Sequence, residues 1–373
     1  MMETKGLGLY VHIPFCVRKC NYCDFASEAA GESKIDKYVA RLISEIESYR
    51  SNEKIKINTV FFGGGTPSLL SGERFLKIVS TIKESFEILP DAEFTVEVNP
   101  ATLSDEKILA YKEAGVNRIS IGVQSIHEIE LKKLGRIHNV ADFENTYKAL
   151  RDAGFKNISV DLMYGIPYQT KDSFEKTLDK IIMLSPEHVS CYGLIVEEGT
   201  PFFEERKSLP LPDEDEEYEM YATAHEKLAL AGYSHYEISN YAKDGFECRH
   251  NLKYWRDEEY IGVGLAAYSY YRGKRYGNSS SFDEYFASDS ANYNCKEKEQ
   301  LKDPFEYAML ALRLKEGFSL SEYERIFGKR FAEGKEKELD LFSKKGLIEI
   351  REDRIFLTYK GFYVSNSILS ELL

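Results

Sequence analysis

Leu9-Tyr10-Val11-His12-Ile13-Pro14-Phe15-Cys16-Val17-Arg18-Lys19-Cys20-Asn21-Tyr22-Cys23 joins a short apolar, β-branched run to a loop with three cysteines. The run Leu9–Ile13 reads as a strand, and five similar runs follow: Thr59–Phe62, Phe94–Val98, Arg118–Val123, Ile158–Met163 and Val189–Val196. Between them lie amphipathic stretches that read as helices: Ile35–Tyr49, Gly72–Phe86, Ser104–Ala114, Glu128–Leu134, Asp142–Ala153 and Lys171–Leu184. Two of these end in Ala-Gly, at Ala114-Gly115 and Ala153-Gly154, where glycine relieves the C-terminal turn. Repeated βα units imply a parallel sheet. Six of them in roughly 200 residues suit an open, partial barrel better than a closed eight-fold one. A doubly wound nucleotide-binding sheet is the competing architecture. Even strand spacing, with polar residues at or just past the strand ends, favours the barrel, because there the ends face one site.

The rest of the chain bounds the answer. Its 373 residues suffice for one large domain and a smaller one. Hydrophobic residues are 43% and charged residues 30%, a globular balance rather than a disordered one. A net charge of −13 argues against a nucleic-acid partner, which needs a basic face. No run of about 18 apolar residues is present to form a spanning helix. Met1 to Gly8 has no signal-peptide core, so a cytoplasmic location is expected. Past Leu209-Pro210-Leu211-Pro212 the character changes. The acidic run Asp213–Tyr218 reads as the solvated start of a helix reaching Leu230, favoured by the helix dipole. A Gly- and Tyr-rich stretch follows to about Phe286. Helices are then expected at Asp303–Leu314, Ser319–Phe327 and Phe331–Lys344, with a hairpin at Leu347–Leu357. That set suggests a small winged-helix-like domain whose acidic surroundings favour packing over DNA binding. The expected division is 1–212 barrel, 213–298 α+β extension and 299–373 terminal domain.

The cysteines carry the chemistry. Cys16, Cys20 and Cys23 stand in a Cys-x3-Cys-x2-Cys pattern on a loop straight after the first strand. Three thiolates in one loop can hold three corners of a [4Fe–4S] cluster. The missing fourth cysteine leaves one iron open for a ligand. The alternative is a zinc site completed by His12, but zinc sites use paired Cys-x2-Cys units, and none faces this cluster.

At this point the chain resembles the radical S-adenosylmethionine (SAM) superfamily, and more widely its oxygen-independent coproporphyrinogen III oxidase branch. The resemblance rests on Leu9–Cys16, on Phe62-Gly63-Gly64-Gly65-Thr66-Pro67-Ser68 and on Glu97-Val98-Asn99-Pro100. Gly122-Val123-Gln124-Ser125 and Asp161-Leu162-Met163-Tyr164-Gly165-Ile166-Pro167 extend it. It implies a partial (β/α)6 radical SAM barrel with a [4Fe–4S] cluster on Cys16, Cys20 and Cys23. It also implies SAM contacts at Tyr10, Tyr22, Gly64, Gly65, Thr66, Glu97, Gln124, Arg136 and Asp161. The residue types are suited to this. Glycines let the backbone approach a ligand. Glu97 suits the SAM ammonium or ribose, and Gln124 the ribose or carboxylate. Arg136 suits the carboxylate, and Asp161 a ribose hydroxyl. Taken singly, each also reads as an ordinary structural residue.

Two features separate the chain from the oxidase pattern. That pattern has a further cysteine two residues past the third, where this chain has Phe25. Little sequence precedes the cysteine loop, where the oxidase carries a longer segment. His250-Asn251-Leu252-Lys253-Tyr254-Trp255, which holds the only tryptophan, resembles the heme-binding signature of a heme-chaperone branch. Histidine is a common heme ligand and aromatic rings pack on porphyrin faces. Locally the same string reads as a core histidine beside a packed Tyr-Trp pair. By this resemblance heme is a cofactor held at His250, and apo-hemoproteins such as respiratory cytochromes are the partners. A homodimer and a peripheral membrane contact stay open, as does SAM turnover. The alternative function is coproporphyrinogen III decarboxylation.

Overall fold

The computed structural model describes residues 6–288, 298–299 and 303–373. Most of Met1–Gly8, on which the cytoplasmic expectation rests, lies outside the described residues.

Six parallel strands run in sequence order: β1 (Leu7–Ile13), β2 (Ile55–Gly64), β3 (Phe86–Val98), β4 (Arg118–Gln124), β5 (Ile158–Tyr164) and β6 (His188–Gly193). Strands of a parallel sheet covered on both faces are usually apolar throughout. Here they alternate. Val60, Phe62, Phe94, Val96, Ile119, Ile121, Val160 and Leu162 form the buried apolar face. Thr59, Glu93, Thr95, Glu97, Arg118, Ser120, Ser159, Asp161 and His188 occupy the other parity. A period of two therefore sorts an apolar outer layer from a polar lumen. Each apolar side chain so buried contributes about 1.5–3 kcal/mol.

The helices α1 (Glu32–Glu47), α2 (Gly72–Ser85), α3 (Asp105–Ala114), α4 (Glu128–Leu134), α5 (Val140–Asp152) and α6 (Lys171–Leu184) connect the strands. Four of these six starts are capped by side chains, those of Ser71, Ser104, Asn139 and Thr170, the last two in capping boxes. The two Ala-Gly ends hold, with Gly115 and Gly154 at φ +90° and +86°. The second helix stops one residue short of the expected Phe86, which begins β3. Register between β2 and β3 slips between Ile57 and Thr59, opposite Leu89–Ala92, where Pro90 donates no ladder bond.

The segment after Pro212 extends the same sheet at both edges. Between α7 (Pro201–Glu205) and β7 (Ser234–Glu237) runs α8 (Glu214–Leu230), capped by Asp213 and Glu216 as the acidic run implies. β8 (Asn240–Ala242) pairs antiparallel with β6, and β7 pairs with β8. The chain then crosses through α9 (Arg249–Trp255) to the opposite edge. There β9 (Tyr260–Val263) lies parallel to β1, followed antiparallel by β10 (Tyr268–Tyr271), β11 (Lys274–Gly277) and, past α10 (Phe282–Ala287), β12 (Lys298–Glu299).

The terminal unit is α11 (Pro304–Ala311), β13 (Phe318–Ser319), α12 (Leu320–Phe327), α13 (Glu336–Lys344), β14 (Ile348–Arg351), β15 (Arg354–Leu357), α14 (Tyr359–Tyr363) and α15 (Ser365–Leu372). Its sheet has the order β13-β15-β14, the small sheet of a winged-helix-like unit. The expected helix at Phe331–Lys344 starts only at Glu336, and the one from Asp303 ends at Ala311. Among the described residues no helix is long and apolar enough to cross a membrane.

Candidate cofactor site

The cysteine loop is held in place by hydrogen bonds that involve no sulfur. Glu28 N–H donates to the Pro14 carbonyl, and Cys16 N–H donates to that of Glu28. At the far side Asn21 donates from its backbone to Leu134 O (2.9 Å) and from its side chain to Lys133 O (2.8 Å). Arg18 donates to Gly135 O at 2.8 Å. The loop thus straps across the C-terminal end of α4.

Cys16, Cys20 and Cys23 are free, half-buried thiols. Thr66 Oγ1 donates to Cys16 Sγ (3.5 Å) and Arg136 Nη1 to Cys20 Sγ (3.7 Å). Burial pushes the Cys23 thiol up. Donors aimed at sulfur favour the thiolate form that a metal takes. His12 does not join the cysteines. Its Nδ1 is 3.0 Å from the Tyr10 hydroxyl and its Nε2 2.9 Å from Ala26 O. Among the described residues no three His, Cys, Asp or Glu side chains gather closely enough for a single metal ion. Three cysteines on one loop, two of them facing hydroxyl and guanidinium donors, suit three corners of a cluster.

Above the loop opens a cleft of about 350 Å³. The three cysteines, Tyr22, Gly64, Gly65, Thr66, Glu97, Gln124, Arg136 and Asp161 all line it. Gly65 is sterically required, because a Cβ there would sit 2.8 Å from Phe15 O. Gly64, at φ +107°, donates its N–H to Glu97 Oε2 at 3.2 Å. Burial, with Asp161 nearby, pushes the Glu97 carboxyl up to about 8. Ser120 Oγ donates to both Asp161 oxygens (3.0 and 3.2 Å), and burial raises that carboxyl too. Gln124 sits in the left-handed region at φ +68°, a strained position for a non-glycine. Its Oε1 accepts from Tyr192 OH at 3.0 Å. Arg136 Nη2 donates to Gly122 O at 2.6 Å, while Nε is buried with no hydrogen-bond partner. A buried, unpaired guanidinium N–H fits an anionic ligand group such as a carboxylate.

Two expected residues lie elsewhere. Tyr10 does not line this cleft; it faces an adjoining pocket together with His12. His250 does not line the cleft either and is buried. Its Nδ1 is 2.8 Å from Thr59 Oγ1 and its Nε2 2.8 Å from Tyr254 OH. Burial and the nearby Lys253 and Arg118 push its imidazole down to about 3, so it is neutral. The geometry is that of a satisfied core histidine. Sequence reasoning missed Asn99 and Tyr192 as site residues. Both line the cleft, and Asn99 Oδ1 is buried without a partner. Asn99 stood beside Glu97 in a quoted motif, so its place past a strand end was the available signal.

Residues 10–181 match the radical SAM superfamily model, and residues 300–364 match the HemN C-terminal domain. Heme chaperone HemW of Lactococcus lactis subsp. lactis is 38% identical over 100% of this chain and 98% of its own length. That of Bacillus subtilis is 36% identical over 98% of each chain. The chain belongs to the HemW family. Among solved structures, coproporphyrinogen III oxidase (HemN) of Escherichia coli superposes with a TM-score of 0.86 over 98% of this chain and 90% of its own. At 23% identity that likeness shows a shared fold. The superfamily match over residues 10–181 takes in most of the residues that line the cleft.

Proposed function

We propose that the protein is a heme chaperone that binds a [4Fe–4S] cluster, SAM and heme and passes heme to apo-hemoproteins. The observation that carries this reading is full-length similarity to proteins named heme chaperones. Phe25 supports it. Its ring is 60% exposed at the mouth of the cleft, where the oxidase pattern has cysteine.

In this reading Cys16, Cys20 and Cys23 hold the cluster, which when bound supplies one-electron reduction of the SAM sulfonium. Arg136 Nε takes the methionine carboxylate. The Gly64–Gly65 backbone lets the ligand lie against β2, and Asp161 and Gln124 orient the ribose. Glu97 would pair as a carboxylate with the ligand's ammonium, its proton passing to solvent.

Hemin titrated into the anaerobic, cluster-loaded protein tests the reading. A Soret difference spectrum, followed by transfer to an apo-cytochrome, is expected. Absence of heme binding removes the proposal. The fold shared with HemN keeps coproporphyrinogen decarboxylation as the second reading. Protoporphyrinogen formed in the same preparation with SAM and reductant would favour it.

A further inference from the structure

The adjoining pocket lies between β1, the β9–β10 edge and the cysteine loop. It has about 320 Å³ and mostly apolar walls. Tyr10, Phe25, Tyr254, Tyr260 and Tyr268 supply aromatic rings, and His12 lies behind Tyr10. It shares Phe25 and Gly64 with the cofactor cleft, so one wall separates the two. Phe25 and Tyr268 are exposed rings, 60% and 68%, and leave the pocket open to solvent.

The HNLKYW segment reaches this pocket through one residue. Tyr254 lines it, and the Tyr254 hydroxyl is held by His250 Nε2 at 2.8 Å. The Tyr254 ring also meets Tyr260 edge-on, with centroids 4.6 Å apart. From behind, His250 stacks on Phe61 at 5.1 Å and on Tyr10 at 6.4 Å. His250 thus braces two of the pocket's rings while both of its nitrogens are engaged.

We infer that this aromatic pocket receives one edge of the heme macrocycle, and that His250 is a positioning residue for Tyr254 and Tyr10 rather than an iron ligand. The inference rests on the heme-chaperone reading. A flat, apolar tetrapyrrole matches the pocket's chemistry, because aromatic rings gain most against an extended π surface. The open side leaves the rest of the macrocycle accessible, as cargo destined for transfer requires. A dry, enclosed pocket would hold it instead.

Hemin is titrated into anaerobic, cluster-loaded protein and read as difference absorbance against the same protein without hemin. Phe25→Ala and Tyr268→Ala each weaken binding about tenfold, the scale of one lost ring contact. Leu230→Ala, an exposed apolar change on α8, leaves it unchanged. If wild type binds hemin and both pocket variants bind equally well, the pocket is overturned while the heme reading stands. If wild type binds none, both fall. His250→Ala separates positioning from ligation. Weaker binding with an unchanged ferric spectrum is the expected result. A high-spin shift that imidazole reverses would make His250 the ligand and overturn its assigned role.

Discussion

That Cys16, Cys20, Cys23 and the strand-end residues gather at one cleft was legible, because short-range spacing encodes their places. Replacing any one of the three cysteines by Ala should cut iron well below the roughly four per chain expected after reconstitution. Iron and sulfide analysis checks this. Glu97 makes a pH-dependent prediction. With its carboxyl raised to about 8, the folded chain keeps a proton that the unfolded chain sheds near pH 4.5. Between those values the unfolded state binds fewer protons, so this group lowers stability as pH rises. The thermal midpoint of the ligand-free protein should therefore fall between pH 6 and 8, and fall less in Glu97→Gln. A cationic ligand must displace that proton, so SAM affinity should rise over the same interval, by up to about tenfold per pH unit. Calorimetry in buffers of different ionisation enthalpy would detect the released proton. Where Tyr10 and His250 lie within the barrel was not legible. The partners that hold His250, Thr59 and Tyr254, include one 191 positions away, and no local pattern records such a contact.

Helices and strands up to β6 follow from periodicity, and the partial barrel was read from them. The edge strands β7 to β12 were not. They are two to four residues long, set in a Gly- and Tyr-rich stretch too short to display a period. The same holds for α9, whose seven residues give fewer than two turns. Its importance comes from what it closes. The amides of Arg249 and His250 donate to Glu93 on β3, each at 3.0 Å. His250→Ala should cost about 2–4 kcal/mol through the cavity and the two orphaned hydroxyls, Thr59 and Tyr254. A shift in denaturant midpoint without a change in slope would report it.

The C-terminal unit is tied to the sheet by specific bonds. Ile238 donates to Arg313 O and Lys315 to Tyr236 O, so the chain after α11 covers the β7 edge. Tyr221 OH on α8 donates to Tyr359 O at 2.7 Å, and His225 stacks on the Tyr359 ring at 4.7 Å. Removing residues 304–373 would uncover that edge together with an aromatic face. The truncated chain should associate or precipitate, read by size-exclusion chromatography against the intact protein. The winged-helix-like order was legible from helix spacing and the hairpin. Its use as an edge cover was not, because one-residue contacts such as Glu237 to Leu314 leave no pattern in sequence.

The strapped cysteine loop bears on the order of assembly. In domains that fold around their metal, the apo chain has nothing to stand on and iron must arrive during folding. Here Asn21, Arg18 and Glu28 fix the loop through backbone and side-chain bonds that involve no sulfur. The barrel therefore helps set the loop's shape, and on the proposed reading iron would enter a chain already folded. On that reading, protein made during iron scarcity would need only the cluster, and no refolding, to become competent.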